Sequence, residues 1–213
     1  MKYIVKGHEP FAFTEWKAQT KTKPAFNRWY GAIKQQVKIS LQTEQGFICC
    51  YCECRISKEN SHIEHLVPQS IPESDSYNYA NMLCSCQKNL SRGDPQHCGK
   101  LKDNWFDSNL FITPLQPDCE RRFAYSIDGH IRPSVNDDNA ASVTITKLGL
   151  DIPKLVDQRK KALEPYIDPV LSNEELRHFL NEELKQRSDG SFVPFYTTIE
   201  HFKNLLEAKQ AHE

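Results

Sequence analysis

Residues 61–70, "SHIEHLVPQS", decide how this chain is read. The run Ser-His-Ile-Glu-His suits a short strand. Pro68 then forces a turn, because its fixed φ and missing N–H end regular pairing. Alternate side chains of a strand share a face, so His62 and Glu64 point one way and Ile63 and His65 the other. Twist at the strand end can still bring Glu64 and His65 to the rim of one cleft. A carboxylate is a hard ligand suited to Mg²⁺, and an imidazole with an ordinary pKa of about 6.5 suits taking a proton from water. That pairing meets the needs of metal-assisted phosphodiester hydrolysis. His62 reads as a structural residue, hydrogen-bonding near the zinc cysteines that flank the strand.

Cysteines bracket this strand. Seven of the eight lie between Cys49 and Cys98, in "ICCYCECR" before it and in "NYANMLCSCQKN" and "QHCG" after it. Such clustering points to a metal site rather than to disulfides spread over a small secreted fold. Cys49 and Cys52 have the two-residue spacing that lets two thiolates reach one tetrahedral zinc from a tight turn. Cys86 and Cys98 are the choice for the second pair, with His97 as the alternative to Cys98. Cys50, Cys54, Cys84 and Cys119 read as buried free thiols.

Working outward, three regions emerge: a helical arm over 1–45, a turn-rich core over 46–115, and a hairpin with helices over 116–213. In the arm, helical pieces break near Pro24, while Trp29, Ile33, Val37 and Leu41 recur at helical spacing and should face a core. Gly46 ends the helix. The core has little periodicity and needs a staple, which zinc would supply. "NYANMLCSCQKN" is expected to open a short helix and "SRGDPQHCG" to be a loop. "FAYSIDGHIRP" reads as a hairpin turning at Asp128-Gly129. "DDNAASVTITKLGL", "IPKLVDQRKKALEPYI" and "TTIEHFKNLLEAKQ" read as helices, and Ser172 with Glu175 forms a capping box before another.

The 213-residue chain has a hydrophobic fraction of 38% and a formal net charge of −1, against a freestanding, strongly basic nucleic-acid binder. A local basic patch is still allowed; Lys88, Arg92, Lys100, Lys102, Arg121 and Arg122 are its candidates. No run reaches the ~20 apolar residues of a membrane span, and "MKYIVKGHEPFAF" lacks the apolar core of a signal peptide, so a cytoplasmic protein is expected. Trp29, Trp105 and Phe106 read as core, and His8, His130, His178 and His201 as surface residues.

The order of Cys49-Cys52, Glu64-His65 with Pro68, Asn81-Met82-Leu83 and Cys86 resembles the ββα-metal, or HNH, nucleases. More specifically, "EQGFICCYCECRI", "HIEHLVPQS", "NYANMLCSC", "HCGKLK", "PLQPDCERRFAYSIDGHIRP" and "AASVTITKLGLDIPKLVDQRK" resemble the retron-associated HNH endonuclease family, which includes the nuclease subunit of Septu anti-phage systems. The resemblance covers roughly residues 25–165. It implies an α+β fold in which a zinc-bearing ββα-metal finger sits between N- and C-terminal helices. It also implies that His65 is the general base, Glu64 holds the catalytic divalent ion, and Asn81 holds the finger together and orients the base. The family's last metal ligand is usually a histidine just after the final zinc cysteine. Here that place is Gly99, and His97 is the nearest candidate; Lys102 falls where the family often has a lysine that meets phosphate.

Membership further implies an ABC/SMC-like ATPase partner, a nucleic-acid substrate (DNA or RNA), and in some systems a retron reverse transcriptase with its non-coding RNA/DNA. No membrane partner is implied. The competing reading is a zinc-stapled adaptor or nucleic-acid-binding subunit that has lost catalysis. Retention of Glu64, His65 and Asn81 together favours the enzyme.

Overall fold

In the structure, a computed structural model describing residues 1–71, 74–167 and 171–210, the histidine segment is a strand. The last three residues of the C-terminal region, 211–213, lie outside the described ones. β1 (Ser61–His65) pairs antiparallel with β2 (Met82–Cys86), from Ser61 opposite Cys86 to His65 opposite Met82. This corrects the helix expected in "NYANMLCSCQKN". Only Tyr79–Asn81 makes a 3₁₀ turn, capped by Asn78, whose side chain accepts from the Ala80 N–H. A short apolar run does not distinguish strand from helix by periodicity, and pairing with β1 decides it. All five β2 residues are buried.

Two helices precede this hairpin, α1 (Phe11–Gln19) and α2 (Ala32–Glu44), with a 3₁₀ turn at Phe26–Arg28 between them. Trp29 lies outside α2, yet its ring joins Phe13, Trp16, Phe26 and Tyr77 in an aromatic cluster beside β1. Val37 and Leu41 carry the buried face of α2. After β2, a loop leads to the short helix α3 (Cys98–Lys102), and both α2 and α3 pack against β2.

Beyond α3 come the second hairpin, β3 (Phe123–Tyr125) with β4 (Ile131–Pro133), and helices α4 (Asn139–Leu148), α5 (Pro153–Leu163), α6 (Asn173–Glu183) and α7 (Tyr196–Gln210). The architecture is therefore α+β with two small antiparallel sheets. The hairpin turns at Gly129, where φ is +93° and a side chain would run into the Val156 carbonyl of α5. Only glycine allows that approach. Arg159 of α5, 2% exposed, closes the junction by donating to the Gly129 and Leu150 carbonyls at 2.6 and 2.7 Å. Ser172 and Glu175 form the expected capping box of α6.

One hydrophobic core joins residues from the first helices, the central hairpin, β3, β4, α4 and the start of α5; a smaller one joins Leu163, Tyr166, Leu176, Leu180, Val193 and Ile199. The two are tied at Glu53, whose carboxylate accepts from the Thr197 N–H at 2.8 Å and whose carbonyl accepts from Phe195. Among the described residues no helix is long and apolar enough to cross a membrane.

Candidate metal and catalytic site

Cys49, Cys52, Cys86 and Cys98 come from three separate segments, yet their sulfurs all lie within 4.8 Å of one another, in a buried position. The Cys52 and Cys86 sulfurs are 3.7 Å apart. A tetrahedral zinc with Zn–S bonds of about 2.3 Å requires a separation of about 3.8 Å. The Cys86 N–H donates to the Cys49 sulfur at 3.4 Å, the contact a thiolate prefers. Left-handed backbone gathers at the same place: φ is +63° at Glu53, +63° at Gln87 and +55° at Cys98, each at or next to a cysteine of the quartet. Such conformations cost about 1–3 kcal/mol each in non-glycine residues and persist where something over-determines them. These four cysteines can hold a metal ion such as zinc.

The other four cysteines are not part of the quartet, though Cys50 and Cys54 neighbour Cys49 and Cys52. Burial pushes the Cys84 and Cys119 thiols up to about 12, so they stay protonated. Cys54 donates to the Gln158 side chain at 3.3 Å. His97 is buried with Nδ1 turned to the sulfurs of Cys98, at 3.1 Å, and Cys86, at 3.8 Å, while its N–H donates to Gln87. It faces the thiols.

Glu64 is 7% exposed and lies beside Gly99 and His62. Its Oε1 accepts from Lys102 Nζ at 3.0 Å and the Tyr51 hydroxyl at 3.2 Å. Its Oε2 meets His62 Nε2 at 3.6 Å. A side chain at Gly99 would place its Cβ 2.4 Å from that Oε2 and 3.0 Å from His62 Nε2, so the glycine keeps both donor atoms uncovered. Burial alone would raise the Glu64 carboxyl, but the facing His62 ring and the Lys102 ammonium hold it below the usual carboxylate range. His62 Nδ1 is buried with no hydrogen-bond partner among the described residues.

Lys102 corrects an expectation drawn from the resemblance. It is 2% exposed, and its ammonium is occupied by Glu64 and by the His65 carbonyl at 2.9 Å. It braces the strand end and cannot reach an external phosphate from there.

His65 occupies the strand end with both ring nitrogens engaged. Nε2 lies 3.0 Å from the Ser76 carbonyl and Nδ1 lies 2.9 Å from the Gln69 side-chain nitrogen. A carbonyl can only accept, so Nε2 carries the proton and Nδ1 presents its lone pair. Phe26 stands edge-on to the ring at 4.6 Å. Burial lowers the imidazole pKa and favours the neutral form. Asn81 fixes the loop that supplies both partners: its Oδ1 accepts from the Val67 N–H at 2.8 Å and its Nδ2 donates to the Val67 carbonyl at 2.9 Å.

No protein-family profile matches the chain. Curated relatives do. "Retron Vc95 putative HNH endonuclease" of Vibrio cholerae serotype O1 biovar El Tor is 30% identical over 172 residues, spanning 77% of this chain and 81% of the relative. The chain belongs to the retron HNH endonuclease family. A second member, "Retron Ec83 putative HNH endonuclease" of Escherichia coli, is 26% identical over 204 residues, spanning 76% of this chain and 79% of the relative.

Within this family member, the structure gathers Glu64, His62 and Lys102 around Gly99, and places His65 and Asn81 on the adjoining strand end and loop. It does not turn His97 toward Glu64; the imidazole there is that of His62. Strand alternation had put His62 and Glu64 on one face, and that was the available signal. Gln69, Ser76 and Tyr51 were not legible as site residues, because their roles depend on how the loop folds back.

Proposed function

We propose that this chain is a metal-dependent HNH endonuclease that hydrolyses phosphodiester bonds. In this reading residues 46–115 form a ββα-metal finger closed by zinc on Cys49, Cys52, Cys86 and Cys98, between the helical regions 1–45 and 116–213. The observation that carries the proposal is the strand end itself. A neutral imidazole with a defined tautomer sits one residue from a buried carboxylate that keeps one oxygen uncovered. The HNH names of both relatives support it.

His65 Nδ1 takes the proton of the attacking water, which requires the exposed Gln69 amide to yield its place. The Ser76 carbonyl keeps the opposite N–H in place as the ring becomes cationic. Asn81 is a positioning residue, acting through the loop. Glu64 Oε2 and His62 Nε2 would hold the catalytic divalent ion, Mg²⁺ or another cation that accepts oxygen and imidazole donors. When bound, that ion polarises the phosphoryl oxygen and stabilises the leaving oxygen. Lys102 and Tyr51 keep the carboxylate ionised and aimed.

The proposal extends to biology through the family resemblance and the word retron in both relatives' names. The nuclease would act as the effector of an anti-phage complex with an ABC/SMC-like ATPase, in some cases beside a retron reverse transcriptase and its RNA/DNA.

The test compares wild type, His65→Ala and His62→Ala, each purified with the co-encoded ATPase, on plasmid DNA and total RNA with Mg²⁺ or Mn²⁺. Zinc content is measured in parallel. Expected are cleavage by wild type, a loss of about 10²- to 10⁴-fold in His65→Ala with zinc retained, and weaker Mn²⁺ binding by His62→Ala. Undiminished cleavage by His65→Ala overturns its role as base. Absence of cleavage by wild type on every substrate favours the adaptor reading.

A further inference from the structure

Beside His62 opens a groove of about 370 Å³ whose walls carry Lys34 and Lys38 of α2, Lys58, and Lys88 just after β2. A chain of net charge −1 thus concentrates four lysines on one side of the candidate site. Among the described residues no carboxylate lies within 4.0 Å of any of their amino groups. Lys34 is instead held by carbon and carbonyl: its ammonium lies 4.7 Å from the Phe26 ring centre and 5.7 Å from that of Tyr30, and it donates to the Phe26 carbonyl. Lys38 spans the floor, donating to the Lys58 and Ser61 carbonyls. Burial, and next the like charge of Lys88, push the Lys34 pKa down. The Glu59 carboxylate attracts Lys38 and Lys58 without pairing with either, and the surplus positive charge of the four lysines favours an anion entering from outside.

The groove also has an aromatic lip and a direction. Tyr30, 76% exposed, stands at its edge with its ring open to solvent. At its inner end it is bounded by His62, which faces Glu64, and by Phe26, which stands against His65. A basic track with an aromatic platform is the arrangement that binds single strands, whose bases are free to stack. We propose that this groove binds the sugar-phosphate backbone of single-stranded nucleic acid, stacks a base on Tyr30, and leads the strand to the Glu64–His65 edge. The proposal rests on the nuclease reading for its purpose, but its binding chemistry is independent of cleavage.

The test uses the full chain carrying His65→Ala, so that bound strands survive. Fluorescence anisotropy follows labelled single-stranded DNA, single-stranded RNA and duplex DNA of one sequence between about 50 and 200 mM salt. Lys34→Gln/Lys58→Gln/Lys88→Gln leaves the structural Lys38 in place and should bind single strands at least tenfold more weakly. Its salt dependence should be shallower by about 2 in slope, the value for three lost phosphate contacts. Lys154→Gln/Lys160→Gln/Lys161→Gln on α5 changes charge equally and should bind as the parent does. Tyr30→Ala should lose roughly fivefold or more on single strands. The DNA and RNA arms identify which strand is preferred. Equal binding by the groove variant, tighter binding of duplex than of single strands, or no binding by the parent overturns the proposal. Loss of binding in the groove variant, with no cleavage by wild type, supports the groove and sinks the nuclease reading. Wild-type cleavage kept intact by the groove lysine changes does the reverse.

Discussion

In the proposed mechanism His65 owes its readiness as a base to its neighbours more than to its own chemistry. The Ser76 carbonyl selects the tautomer, and burial against Phe26 lowers its proton affinity. The sign of that shift yields a prediction. A lowered pKa keeps the imidazole neutral, and so able to accept a proton, below the ordinary value of about 6.5. Cleavage should therefore hold as pH falls through that value and decline only as pH passes the lower pKa. A pH profile of kcat/KM checks this, and an acid limb at or above about 6.5 would contradict it. The residue types were legible here: an acid, a histidine and a proline in that order pointed to this segment, and the structure places it at a strand end. The base's partners were not, since Gln69 and Ser76 reach it only after the loop is tied back by Asn81.

At the scale of elements, capping and pairing settled what periodicity left open. Ser172 with Glu175 marked the start of α6, and the structure has both bonds of that box. Asp138 is a less visible cap. It accepts from the Ala141 N–H at the start of α4 and pairs with Arg122 through two bonds, Oδ1 at 2.7 Å and Oδ2 at 2.5 Å. The Arg122 hydrogen bond holds its carboxyl below the usual aspartate value. Asp138→Ala should cost about 0.5–2 kcal/mol at neutral pH, read from denaturant unfolding. A depressed folded pKa stabilises above the unfolded value of about 3.9 and loses that contribution as pH falls through the folded one. The difference between wild type and Asp138→Ala should accordingly shrink in acid; a constant difference would refute the assignment. β2 was misjudged as helix because five buried residues in a row carry no period, and its strand state comes from β1 alongside it.

Across the whole molecule, the four-cysteine cluster joins segments that lie far apart in the sequence. Cys49 and Cys52 precede β1, Cys86 ends β2 and Cys98 begins α3. Structural zinc in small modules contributes about 10–16 kcal/mol, as much as the whole stability of an ordinary domain. Stripping zinc with a strong chelator should lower Tm by more than about 10 °C, reversibly on adding zinc back, and Cys98→Ser should do the same without chelator. Calorimetry with metal analysis decides it: an unchanged Tm in zinc-free protein would remove zinc from the account of stability. By itself the sequence marked the capped start of α6, the Cys49–Cys52 pair with Cys86, and the adjacent Glu64 and His65, because spacing and side-chain chemistry are local properties; the α+β class came with the family resemblance, and the structure brought Cys98 into the quartet. Only the tertiary structure decided that His62 and not His97 faces Glu64, that Lys102 is buried beneath it, and that lysines of α2 and of the β2 end share one groove. Those facts depend on which distant segments meet, and the meeting is set by strand register and by Gly99, where the absence of a side chain lets α3 approach β1.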